Sequence, residues 1–259
     1  MKPTCFNKLP APWRCGASGP KLSWSLTVAN KPFVVALEVP RVKLHLEDIV
    51  PIARKLADRL MVASIRASGC KIACKRKCDA CCHYLVPLSA PEAMELWHNM
   101  CQLPDEKRKG FLEACVSASR KVLDNHDSMP QSLSELSKWY SALHLPCPLL
   151  SHRLCGVYSF RPISCREHVV AAGNRCRIDG ISAKGLIRPP YRVGEALAQL
   201  SAELQPSWPK AIMLPLGPAW AAEASAAPRR RFPAEELLNR LFEALQAQQN
   251  QQVAKTACA

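Results

Sequence analysis

Four cysteines fall within nine residues in CKRKCDACC, Cys74 to Cys82, with Lys75, Arg76 and Lys77 among them. Cys74, Cys78, Cys81 and Cys82 form C-x3-C-x2-C-C, and an x2 spacing lets two sulfurs approach one ion at about 2.3 Å in a tight turn. A disulfide between adjacent Cys81 and Cys82 would strain the backbone, because neighbouring side chains diverge. The divergence suits two different ions better than one. Structural cysteines usually sit scattered on apolar helix faces, so buried inert thiols are the lesser reading of this basic stretch.

A second group lies in CPLLSHRLCGVYSFRPISCREH, with Cys147, Cys155 and Cys165, and NRC adds Cys176. The two groups offer eight sulfurs, enough for two closed four-thiolate sites or one four-cysteine iron–sulfur cluster with thiols to spare. His83 and His168 adjoin the groups and could ligate or move protons, though eight thiols do not require them. Arg161 and Arg166 could donate hydrogen bonds to thiolate sulfur and so orient the ligands. Cys70 is an open choice between ligand and bystander. Cys101 and Cys115 read as packing residues on apolar helix faces, and Cys5, Cys15 and Cys258 receive no role.

These motifs resemble the YkgJ-type cysteine cluster family, described as a zinc- or iron-chelating domain and marked by C-x2-C-x2-C-C, then C-P-x-L, C-x2-Y and R-P-x2-C-R. The matching residues are Cys74, Cys78, Cys81 and Cys82, then Cys147-Pro148-Leu149-Leu150, Cys155-Gly156-Val157-Tyr158 and Arg161-Pro162-Ile163-Ser164-Cys165-Arg166. The likeness spans about residues 70 to 176. It departs by one residue between Cys74 and Cys78, so either Cys74 or Cys70 would take the first ligand position. The resemblance implies zinc or iron as cofactor. Flagellin lysine methylases carry a similar cluster, which makes an iron–sulfur enzyme an alternative by analogy.

The elements that must place these cysteines read as helices. From Leu46 the positions Ile49, Ile52, Leu56, Leu60 and Ala63 follow helical spacing up to Gly69, with Asp48 as a candidate N-cap. After the extended HYLVPL, Ser89-Ala90-Pro91-Glu92 is a capping box opening a helix through Met94, Trp97 and Cys101. A second helix carries Phe111, Cys115, Ala118 and Val122 on one face, and a third starts at Ser132 and runs to about Leu145. Residues 147 to 176 break into turns at Pro148, Gly156, Pro162 and Gly173. Glu195 to Leu204 and Ala234 to Gln246 read as amphipathic helices, and the tail QAQQNQQVAKTACA as low-complexity disorder.

The chain has 259 residues, 48% of them hydrophobic, and 14 cysteines, too long for a miniature disulfide scaffold. No signal-peptide-like start and no uninterrupted apolar run of membrane-spanning length is visible, so the expectation is a cytoplasmic protein with no membrane partner. In a reducing cytosol, clustered cysteines point to metals. The formal charge of +14 counts each cysteine as neutral; metal-bound thiolates would offset part of it. Between Arg41 and Cys78 ten bases face Glu47, Asp48 and Asp58, an excess placed where thiolates need it. Arg229-Arg230-Arg231 could contact nucleic acid, but no aromatic interleaving supports base stacking and a solvated run is favoured. No Gly-rich phosphate loop or serine elbow is present.

The sequence thus predicts a mainly α fold: a small helical domain over residues 41–205, organised around a cysteine-ligated metal centre with irregular ligand loops. Residues 1–40 form an N-terminal extension in which only FVVALEV, residues 33 to 39, could be a strand. Residues 206–259 form a linker, a C-terminal helix and a disordered tail. The predicted ligands are Cys74, Cys78, Cys81, Cys82, Cys147, Cys155, Cys165 and Cys176, holding zinc or iron. An iron–sulfur enzyme, or a nucleic-acid or partner-binding module with structural metal, is the alternative.

Overall fold

The computed structural model describes Trp13, residues 19–173, Cys176 and residues 185–257. Two eight-residue strands, β1 (Lys21–Val28) and β2 (Lys31–Glu38), open the chain as an antiparallel hairpin with Leu26 opposite Phe33. Ala29 and Asn30 turn it, both with positive φ, as a two-residue turn matched to strand twist requires. In β1 the apolar positions Leu22, Trp24, Leu26 and Val28 alternate with polar ones, a period-two signal that the surrounding prolines obscure.

Eight α-helices follow among the described residues: α1 (Val50–Ser68), α2 (Ala90–Cys101), α3 (Asp105–Asp124), α4 (Leu133–Ala142), α5 (Ile163–Arg166), α6 (Val193–Leu204), α7 (Gly217–Ala226) and α8 (Ala234–Ala257). The fold is mainly α, as the apolar periodicity predicts. α1 stops where Gly69 turns left-handed. Asp48 does not cap it: a 3-10 turn over Leu46–Ile49 comes first, and Asp48 closes that turn by accepting the backbone N–H of His45 at 2.9 Å. Ser89 and Glu92 form the expected capping box of α2, and Ser132 accepts the N–H of Glu135 at the start of α4. The α3 face of Phe111, Cys115, Ala118 and Val122 is buried as its spacing predicts.

Two hydrophobic clusters carry the packing. The larger joins β1, β2, α1, α6 and α8, with Leu26, Phe33, Leu56, Leu60, Leu197 and Leu241 among its buried members. Trp24 stacks face to face on Phe242 at 4.4 Å and donates from Nε1 to Asn239 at 3.0 Å. The smaller gathers α2, the start of α3 and α7, and Cys147, Cys155 and Cys165 pack against its rim.

The boundaries expected at residues 41 and 205 do not coincide with the edges of this core. The hairpin and α8 lie within it, Phe232 pairs with Leu44, and Ile212 pairs with Leu88. A helix with Leu237, Leu238, Leu241 and Leu245 on one stripe needs a partner face, and the hairpin and α6 supply it. The glutamine-rich tail continues α8 rather than ending it at Gln246: the Gln248 side chain exchanges two hydrogen bonds with the Arg192 backbone, and Gln249 accepts from the Tyr191 hydroxyl at 2.7 Å. No helix among the described residues is long and apolar enough to cross a membrane.

Candidate metal centre

The cysteine segments are held by backbone bonds more than by packing. After Gly69, Ala73 donates to Val170 at 2.8 Å and Ala172 to Lys71 at 2.7 Å, laying the start of the first segment along the end of the second. Lys77 takes a left-handed φ between Cys74 and Cys78, and a 3-10 turn over Ala80–His83 carries Cys81 and Cys82. The backbone N–H of Cys147 donates to the carbonyl of Cys82 at 2.6 Å, joining the two groups directly. Arg153 grips Asp79 with two hydrogen bonds, at 3.1 and 3.3 Å, across the same seam.

In the second segment, Leu150–Ser151 and Leu154–Cys155 form a tight hairpin turned by His152 and Arg153, both left-handed. Gly156 follows because a Cβ there would lie 2.2 Å from the ring of Phe111. α5, which carries Cys165, is fixed at both ends. Glu92 accepts the N–H of Ile163 at 2.8 Å, and Glu167 accepts the N–H of Val193 at 2.7 Å. Both carboxyls are pushed above their ordinary range by burial, Glu167 to about 7.

All eight predicted ligands, Cys74, Cys78, Cys81, Cys82, Cys147, Cys155, Cys165 and Cys176, line one cavity of about 670 Å³. His168 also lines it, whereas His83 and Cys70 are not among the lining residues. Cys70 is exposed, its sulfur hydrogen-bonded to the carbonyl of Ser68, whereas Cys74 is half-buried and lines the cavity. Cys115 is buried and Cys101 half-buried on their helices. Cys5, Cys15 and Cys258 lie outside the described residues.

The electrostatics favour thiols over thiolates in the bare chain. A hydrogen bond that the protonated Cys81 donates to Cys82, then burial, pushes Cys81 far up; burial followed by the neighbouring thiols raises Cys165, Cys147 to about 12 and Cys176 to about 11. Such a set keeps its protons at neutral pH unless a cation replaces them. Five bases line the cavity, Lys75, Arg76, Lys77, Arg153 and Arg161, and no carboxylate does. This donor set fits a thiophilic cation such as zinc or iron. As the side chains stand, no group of three or more His, Cys, Asp or Glu among the described residues is placed to hold an ion. Holding a metal there would require side-chain rotation inside the cavity.

The two arginines of the second motif separate in role. Arg166 is buried and its donors are taken: by the carbonyls of Arg161, Tyr158 and Ser159 and by Asp58 at 2.6 Å. It ties the ligand loop to α1 while its charge also favours the Cys155 thiolate, and the tie is not legible in the sequence because it depends on a carboxylate 108 positions away. Arg161 stacks over Tyr158 at 4.6 Å, its Nε is buried without an acceptor, and its charge favours the thiolates of Cys81, Cys155 and Cys165. His168 is held below its ordinary pKa chiefly by burial, so its imidazole is neutral at pH 7. The Arg229 to Arg231 run is drawn into local contacts: Arg229 pairs with buried Glu47, Arg230 lies over Phe232, and Arg231 bonds His45.

Comparison of the chain with protein-family models, with curated proteins and with solved structures returns no match in any of the three.

Proposed function

We propose that this chain is a metal-binding cysteine cluster protein, in which the thiols of the two segments bind zinc or iron. The observation that carries the reading is that eight cysteines, spread from position 74 to position 176, line a single cavity. Scattered packing cysteines have no reason to converge, whereas ligands must. The resemblance of the motifs to the YkgJ-type family supports the same reading, as does the ring of bases, which would offset thiolate charge. A bound metal would supply the positive charge that lets the thiols deprotonate, and would couple folding of the ligand loops to metal uptake.

A second reading, an iron–sulfur enzyme, draws on the size of the cavity. A volume of about 670 Å³ falls within the range of small-molecule pockets, roughly 300 to 1,000 Å³. A nucleic-acid module finds less support, since Arg229 to Arg231 make contacts within the chain. Elemental analysis with an absorption spectrum, on full-length protein purified without oxygen, tests the proposal. About two zinc per chain and no colour would fit a closed chelating module, since eight thiolates saturate two tetrahedral sites; iron with matching sulfide would favour the enzyme. Well-folded protein free of both metals, from cells given ample zinc and iron, would sink both readings.

A further inference from the structure

We infer that His168 is a metal ligand in this cavity, sharing one ion with Cys176. The inference rests on the metal-binding reading and names a donor which that reading leaves out. His168 Nε2 lies 3.5 Å from Cys176 Sγ. A tetrahedral ion about 2.3 Å from sulfur and about 2.0 to 2.1 Å from nitrogen separates those two donors by about 3.5 Å. Sulfur and nitrogen therefore already stand at the spacing one ion imposes.

Tyr84 supports the pair from behind: its hydroxyl bonds Cys176, and its ring meets His168 edge-on at 5.5 Å. The thiols also sort by neighbourhood. Cys165 lies among Cys147, Cys81 and Cys155, while Cys176 lies near Cys81, Cys74 and Cys78, so Cys81 faces both groups. The first set numbers four. With Cys81 held in the first set, the second keeps three thiols, Cys176, Cys74 and Cys78, and His168 brings it to four donors.

X-ray absorption at the metal edge of the full-length, zinc-loaded chain tests this, and a chain that takes only iron is examined the same way at the iron edge. One imidazole in the metal shell, lost in His168→Gln, is expected. His168→Gln should also release one zinc to a chromophoric chelator at least about 100-fold faster, since even outer-shell changes cost 10- to 100-fold. Cys70→Ser, at an exposed thiol that does not line the cavity, should keep the wild-type metal content. An all-sulfur shell in metal-loaded wild type, or metal content and release rate unchanged in His168→Gln, overturns the inference and leaves the metal-binding reading standing; the 3.5 Å contact is then a thiol–imidazole hydrogen bond. A folded chain that binds neither zinc nor iron overturns both.

Discussion

Glu92 Oε1 accepts the backbone N–H of Ile163 at 2.8 Å while its other oxygen accepts the N–H and hydroxyl of Ser89. One carboxylate thus caps α2 and fixes the start of the helix that carries Cys165. Replacing it with glutamine turns one acceptor into a donor facing a donor. Glu92→Gln should destabilise the protein by about 1 to 3 kcal/mol, read from urea unfolding.

The same residue gives a pH dependence. Burial, the dominant cause, raises the Glu92 carboxyl above its ordinary 4.5 in the folded state. Between those two values the folded chain holds more protons than the unfolded one, so this contribution to stability is full below pH 4.5 and is lost as pH rises through the folded value. The urea midpoint should fall on going from mildly acidic to neutral buffer, and Glu92→Gln should show a smaller fall. An equal fall in both proteins would place the effect elsewhere.

Gly156 and Phe111 form a test of packing. A methyl at Gly156 would lie 2.2 Å from the Phe111 ring, so Gly156→Ala should cost about 1 to 3 kcal/mol. Phe111→Leu has its own cost. In the double variant the two penalties should sum to less than their separate values, which thermal melts in a double-mutant cycle would show.

Arg166→Lys keeps the charge but cannot fork between three carbonyls and Asp58. A loss of about 2 to 3 kcal/mol is expected, together with reduced metal content in the purified protein. Unchanged stability would mean that the ligand loop does not depend on its tie to α1.

Leu26, on the hairpin, is 1% exposed. Leu26→Ala should cost about 2 to 5 kcal/mol in chemical unfolding, the range for buried leucines. A cost near zero would restore the view of residues 1–40 as an appendage.

Much of the fold follows from local rules that one sequence displays. The α3 stripe, the Ser89–Glu92 box, the stop at Gly69 and the irregular backbone from Cys147 onward all depend on residues within a few positions of one another, where periodicity and capping act. The spacing that groups Cys74, Cys78, Cys81 and Cys82 is local as well. What lay beyond the sequence was pairing at a distance. Trp24 meets Phe242, Gln248 meets Arg192, and Arg166 meets Asp58 only because packed helices bring them together. Nothing in the spacing of CREH says that Arg166 bonds carbonyls or that His168 faces Cys176. Sequence alone determined which residue types could bind metal and where α2, α4 and α8 begin; tertiary structure decided which donors share a cavity, since loop closure over a hundred residues is set by the core and not by the motif.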